Sequence, residues 1–381
     1  HHDLRGDTVS SEKSVILIGC GRVARKHLRA IRYYSRERKN VPFRLRPAAV
    51  IDPLEDAARE TLEKYRLEAP VFADFDSFLA SGIKADICAI TTPSGSHYPL
   101  ALRALEEDMH LLLEKPMAMR LPEAVEIARR ADAKGLRVAL GHIYRYFPVI
   151  ANLREDIAAG RFGKPLFGQV TVRWGHDQAY YDSAAWRGTR AQDGGAVMNQ
   201  SIHALDLMHW LLGEPSFATV EAAVTRQVHA IESEDLGYAI FGFDNNVWMN
   251  FEGTTNTDPD RQEAEFFVRC ERGDARASLK SGKIGLEIHR DGEKKNLKWR
   301  YIRRELKQIL TERGPSYLGQ LGNPHSNIYR DLIRAIATDT PPLADAAAGC
   351  RSLYMVESIY HAAGVAEYSE APDKALLATR A

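Results

Sequence analysis

Through the first 141 positions, short apolar runs alternate with segments whose apolar residues recur at helical spacing. Runs at 14–18, 45–51, 86–90, 110–113 and 137–140 read as buried strands, with a very short one at 71–72. Segments 23–34, 54–65, 75–80, 98–105 and 122–133 read as helices, the last with Pro122 in its first turn. Strand and helix in turn predict an α/β, doubly wound parallel sheet over 14–141, covered on both faces in the Rossmann manner. After Gly141 the period changes. A helix at 147–159 leads to a strand at 166–174. Segments 219–228, 235–243, 247–253, 263–270 and 275–279 then alternate with period two and no helix between them. Asn245-Asn246 marks a hairpin. This predicts a second α/β domain over 142–381, built on a large open, mostly antiparallel sheet. Helices at 327–337 and 345–361 follow a polar, basic excursion at 294–322. His1 and His2 read as a tag remnant, and positions 1–13 as a loose lead-in.

Composition narrows the function. Basic and acidic residues number 51 each, so no net field attracts nucleic acid or an anionic membrane. No apolar run nears the ~20 residues of a membrane helix. Four scattered cysteines without metal-like spacing fit a reducing, cytoplasmic setting. A sheet of five or more strands with too few helices to cover it predicts a broad apolar face, and hence a homo-oligomer formed through the second sheet.

The chemistry begins at Gly19-Cys20-Gly21-Arg22-Val23-Ala24, a Gly-x-Gly-x-x-Ala turn between a strand and a helix. Gly19 permits the turn, Gly21 lets backbone approach a pyrophosphate, and Ala24 allows close helix–strand packing. Asp52 ends the next strand, where a carboxylate accepts from ribose hydroxyls and repels a 2′-phosphate. NAD is therefore expected over NADP, with Arg22 as the one local cation that meets a phosphate. Ligands of such sheets sit beyond the carboxyl ends of the strands. That is where Thr91, Thr92, Pro93 and His97 fall, and also Glu114-Lys115-Pro116, whose proline invites a cis bond. Further on, Asn199 and His203 are four apart and share a helical face, while Asp206 is placed to orient the imidazole. His203 and His209 do not converge at 3.6 residues per turn, so no metal is expected.

Taken together, these elements resemble the Gfo/Idh/MocA oxidoreductase family across 14–361. The marks are Gly-x-Gly-Arg-x-Ala at 19–24, Thr-Pro…His at 92–97, Glu-Lys-Pro at 114–116 and His203-x-x-Asp206. The segment 141–147, and Tyr180-Tyr181 with Trp186-Arg187-Gly188, add to them. The resemblance implies oxidation of a sugar or cyclitol hydroxyl, with Lys115 and His203 as the catalytic pair. Many members carry Asp where this chain has Asn199, which moves the acid–base role onto His203.

The residue types agree with that chemistry. An imidazole takes and returns a proton near neutrality, and a lysine ammonium stabilises a developing alkoxide. Asn199 adds a neutral hydrogen-bonding group. Arg145, Arg187 and Arg190, beside Trp186, are placed to grip an anionic appendage, which favours a nucleotide-linked sugar. Arg145 is also counted with the cofactor residues. The alternatives are an NAD-recycling glycoside hydrolase, a dehydrogenase of a neutral sugar or cyclitol such as inositol, and a non-catalytic sensor.

Overall fold

The structure, a computed structural model, describes residues 11–378. His1 and His2 lie outside the described residues. Six strands, β1 (Ser11–Ile18), β2 (Phe43–Ile51), β3 (Val71–Phe72), β4 (Ile87–Ile90), β5 (His110–Leu113) and β6 (Val138–Leu140), form the first sheet. All are parallel, in the order β3-β2-β1-β4-β5-β6. Between them run α1 (Ala24–Tyr34), α2 (Glu55–Lys64), α3 (Phe75–Ala80), α4 (His97–Glu106) and α5 (Leu121–Ala133). β4 and β5 are almost wholly buried, as continuous apolar runs in a two-faced parallel sheet should be. The order reverses between β1 and β4, and this switch point opens a crevice at the strand ends. Positions 11–13, expected to be loose, instead extend β1. Ser11 pairs with Phe43, and Lys13 forms an ion pair with Asp86 at 3.1 Å, so polar side chains ride on an edge the period alone does not mark.

The second sheet has seven strands, in the order β13-β12-β11-β7-β10-β9-β8. These are β7 (Pro165–Arg173), β8 (Phe217–Thr225), β9 (Leu236–Phe243), β10 (Trp248–Thr254), β11 (Glu263–Cys270), β12 (Gly273–Lys280) and β13 (Lys283–Arg290). Every pairing is antiparallel except β7 with β10. One face is covered by α6 (Pro148–Ala158), α8 (Ile202–Leu211) and their neighbours, with α7 (Gln178–Asp182) at the site end. The other face holds half-exposed Phe167, Tyr238, Ile240 and Trp248 at its middle. Around them runs a charged ladder in which Glu263 meets Arg173 and Lys280. The face is therefore mixed, not broadly apolar as the strand count suggested. No described helix is long and apolar enough to cross a membrane.

After α9 (Lys298–Gln308), the chain turns back. α10 (Pro324–Thr338) packs on α1, and α11 (Ala346–Ala362) packs on α5, so the last helices complete the first domain. Glu114, at the end of β5, is the point where these elements meet. Its Oε1 lies 3.0 Å from His27 Nε2 of α1 and 2.9 Å from His325 Nε2 of α10. Tyr329 of α10 reaches the other nitrogen of His27 at 3.1 Å. Burial opposes ionisation of Glu114, but the two imidazoles hold its carboxyl well below the usual range. Gly141 is glycine for the same reason, since a Cβ there would stand 2.7 Å from Glu114 Oε2.

Replacing Glu114 by Gln is expected to lower the unfolding free energy by about 2 kcal/mol, the scale of hydrogen bonds to a buried charge. Because the folded pKa is depressed, that contribution is full above the unfolded glutamate's value of about 4.3 and fades as pH falls below it. Urea titrations of both proteins at neutral and acid pH check this, and an equal midpoint at neutral pH would contradict it.

Candidate active site

The Gly-x-Gly loop leaves β1 at the switch point. Gly19 has φ +94°, and a Cβ there would press within 3.0 Å of the Thr91 and Thr92 backbone. A Cβ at Gly21 would meet nothing within 4 Å, and the residue is exposed, so its backbone is open to a ligand. The N-terminus of α1 carries no side-chain cap and no acid in its first turn, which suits a phosphate group. Asp52 lies beneath the loop, its Oδ2 accepting from Cys20 N–H at 2.6 Å and its Oδ1 from Leu54 N–H at 2.8 Å. Arg22 is exposed on the loop and Val23 leads into α1. A dinucleotide fits this cradle.

At the ends of β4 and β5 the residues divide into those that face the crevice and those that support it. Pro93 is exposed and Thr92 half-buried. Thr91 donates its hydroxyl to the carbonyls of Ile18 and Gly19 at 3.1 and 2.7 Å, locking the loop from behind. His97, expected to contact the cofactor, is instead buried with its ring nitrogens against the carbonyls of Pro116 and Thr92 at 2.7 and 2.9 Å. It ties the two strand ends together. Glu114, expected on the cofactor side as well, faces the core trio described above.

Lys115, before a cis Pro116, points the opposite way. Its Nζ donates to Asn199 O at 2.6 Å and to Asn199 Oδ1 at 2.8 Å. Burial lowers the pKa of this lysine, with Glu114 and Asp193 working against the shift. Asn199 sits in a π-helical turn, Ala196–Ser201, that runs directly into α8. Such turns widen a helix and often carry functional groups. His203 follows in the first turn of α8, its ring 5.6 Å from that of Tyr144 and 5.8 Å from that of His142. Burial first, then the charge of Lys115 and the neighbouring His142, hold its pKa well below the usual value. Its Nδ1 is buried without a partner among the described residues.

Three expectations need correction. Asp206 does not orient His203. It forms a bidentate pair with Arg145, 2.8 Å on each side, and accepts from Ser352. Burial would raise the Asp206 carboxyl, but Arg145 holds it down to about 2. Arg145 is correspondingly 2% exposed and also meets Glu214 at 3.0 Å. It belongs to neither a cofactor nor a substrate surface, because its guanidinium is already matched. Arg190 pairs with Glu367 and reaches the Glu232 carbonyl. Of the three arginines, Arg187 alone has no salt bridge among the described residues. It lies over Tyr180 and Trp186, 4.2 and 4.5 Å from the ring centres, and lines a cavity of about 640 Å³ with Arg226.

One residue was missed. Asp193 accepts from the Asn199 amide and from Gly188 N–H at 2.7 Å, and burial raises its pKa. It fixes the amide so that Oδ1 faces Lys115. The sequence signal was thin, a single acid before Gly194-Gly195.

Residues 13–142 match the family model described as an oxidoreductase family with an NAD-binding Rossmann fold, and 150–276 match the GFO/IDH/MocA C-terminal domain. The WlbA dehydrogenase of Bordetella pertussis, solved with NADH and UDP-GlcNAcA, superposes with a TM-score of 0.75 at 26% identity, over 93% of this chain and 96% of that one. D-glucoside 3-dehydrogenase of Escherichia coli is 29% identical over 58% of this chain and 59% of its own length. Inositol 2-dehydrogenase of Salmonella typhimurium is 27% identical over 55% and 57%. The chain thus spans somewhat over half the length of these two curated relatives. The two matched segments make this chain a member of the Gfo/Idh/MocA oxidoreductase family, its N-terminal part being the NAD-binding Rossmann domain.

Proposed function

We propose that this chain is an NAD-dependent dehydrogenase that oxidises, reversibly, a ring hydroxyl of a sugar carrying an anionic, nucleotide-type appendage. The observation that carries the reading is the convergence of Lys115, from the end of β5, with Asn199 and His203, from the second domain, on the same edge of the sheet as the Gly19–Gly21 loop. The WlbA relatives, solved with UDP-GlcNAcA at 26% and 27% identity over 93% of this chain, support the substrate class.

When bound, NAD supplies the hydride acceptor. Lys115 has three N–H donors, two of them engaged by Asn199. The third reaches the substrate oxygen and stabilises the alkoxide that develops there. His203, kept neutral, takes the hydroxyl proton at Nε2 as hydride leaves the carbon, and returns it in the reverse direction. Asp193 acts through Asn199 as a positioning residue. Arg187, stacked on Tyr180 and Trp186, meets the appendage.

Lys115→Met and His203→Ala should each lower turnover by at least ~10²-fold. NAD affinity by calorimetry should hold for His203→Ala. Near-normal turnover in either variant would remove that residue from the mechanism.

A neutral sugar or cyclitol is the second reading, favoured by the engagement of Arg145 and Arg190 in internal pairs. The value of kcat/KM for a nucleotide sugar, its sugar phosphate and the free sugar decides between them. Arg187→Ala should lower it about tenfold or more for the anionic substrates, the scale of one charge-assisted hydrogen bond, and leave the free sugar unchanged. A free sugar as best substrate, with Arg187→Ala silent, overturns the first reading. Oxidation should also accumulate NADH in proportion to substrate, which an NAD-recycling hydrolase would not do.

The same reading includes a homo-oligomer through the outer face of the second sheet, where Phe167, Tyr238, Ile240 and Trp248 form an apolar centre inside a polar rim. Light scattering should give a multiple of the single-chain mass, reduced by Ile240→Lys with Trp248→Lys. A single-chain mass for the parent at micromolar concentration contradicts it.

A further inference from the structure

A second cavity, of about 270 Å³, opens at the joint between the domains. Asn40, from the connection between α1 and β2, forms one wall, the start of α6 another, and one face of α10 a third. Asn327, Arg330 and Arg334 stand on that face at helical spacing, with Arg313 opposite. Charge is not balanced here. Arg334 pairs with Asp331 at 2.7 Å. Asp331 is already engaged on its other oxygen by Tyr146 and Leu343 N–H. Arg145, in the floor, is matched by Asp206 and Glu214. Arg313 and Arg330 form no salt bridge with any described residue. Arg313 gives one N–H to Asn327 Oδ1 at 2.7 Å and lies over the Tyr317 ring, 4.6 Å from its centre, with the charge of Glu305 bearing on it but forming no salt bridge. Arg330 gives one N–H to the Glu312 carbonyl at 3.3 Å.

We propose that this cavity binds a small dianionic phosphate monoester, separate from the catalytic crevice. Two guanidinium forks, each with N–H groups left over, line the recess from different elements and match the oxygens of a phosphate, and an anion there supplies the counter-charge that no salt bridge gives them. The volume lies just under the ~300 Å³ at which pockets for larger ligands begin, so it admits a phosphate on a short carbon skeleton and excludes a dinucleotide. A neutral polyol leaves both charges unmatched. The second ionisation of a phosphate monoester, near pH ~6, supplies the dianion at neutral pH.

The test is calorimetry on the full chain saturated with NAD, which occupies the glycine loop. Inorganic phosphate and glycerol 3-phosphate are titrated in, with glycerol as the neutral control. Saturable, single-site binding of both anions and none of glycerol is expected. Arg330→Gln should weaken it about tenfold, the effect of losing one charge-assisted hydrogen bond. Arg330→Lys should recover part of the loss, and Arg187→Ala, in the crevice, should change nothing. The proposal fails if the parent shows no saturable uptake, if Arg330→Gln binds as well as the parent, or if Arg187→Ala abolishes binding and so places the anion in the crevice.

Discussion

A buried carboxylate fixes the architecture around the crevice. Glu114 is ionised in the core only because two imidazoles, from opposite ends of the chain, donate to one of its oxygens. A buried charge without such partners costs several kcal/mol or neutralises. The arrangement therefore pins β5, α1 and α10 to one another. Since the next residue is Lys115, the direction of the lysine is set by what its neighbour must satisfy. The two side chains leave adjacent backbone positions toward opposite environments, one to the core and one to the crevice.

On the crevice side, position is passed along a line of contacts. Gly188 N–H holds Asp193, Asp193 holds the Asn199 amide, Asn199 holds Lys115, and the charge of Lys115 bears on His203. Burial first and then the Lys115 charge hold the imidazole's pKa down, while Glu114 and Asp193 counter the effect of burial on the lysine. The carboxylate that the helix lacks at Asn199 is present after all. It arrives from six residues upstream, one hydrogen bond further from the lysine.

Much of this was legible in the residues. The strand–helix alternation, the Gly19–Ala24 turn, Asp52, and the Lys115 and His203 positions follow from local period and residue type, which the fold leaves intact. What was not legible depended on partners distant in sequence. Arg145 looked like a free cation because nothing near it in the chain is acidic, whereas Asp206 lies 61 positions away. Asp206 in turn looked like a partner for His203, because helical spacing says which residues are neighbours and not which of them has a stronger suitor. β13 and α9 went unassigned because their polar and basic side chains blur both periods, the helix lying at the surface with only Tyr301 fully buried. Glu114 read as a crevice residue because a strand end gives no sign of which way an acid turns.

The return of α10 and α11 to the first domain bears on how the molecule is made. The contacts that satisfy Glu114 and His27 join positions 211 and 302 residues apart. The central acid of the nucleotide-binding sheet lacks one of its donors, and α1 and α5 lie uncovered, until α10 and α11, which follow the second sheet in sequence, are in place. Long-range closure of this kind slows assembly, because the entropy of a large loop is lost before the contact is gained. The change of period after Gly141 therefore does not mark the end of the first sheet's packing: α10 and α11, which follow the second sheet in sequence, close it.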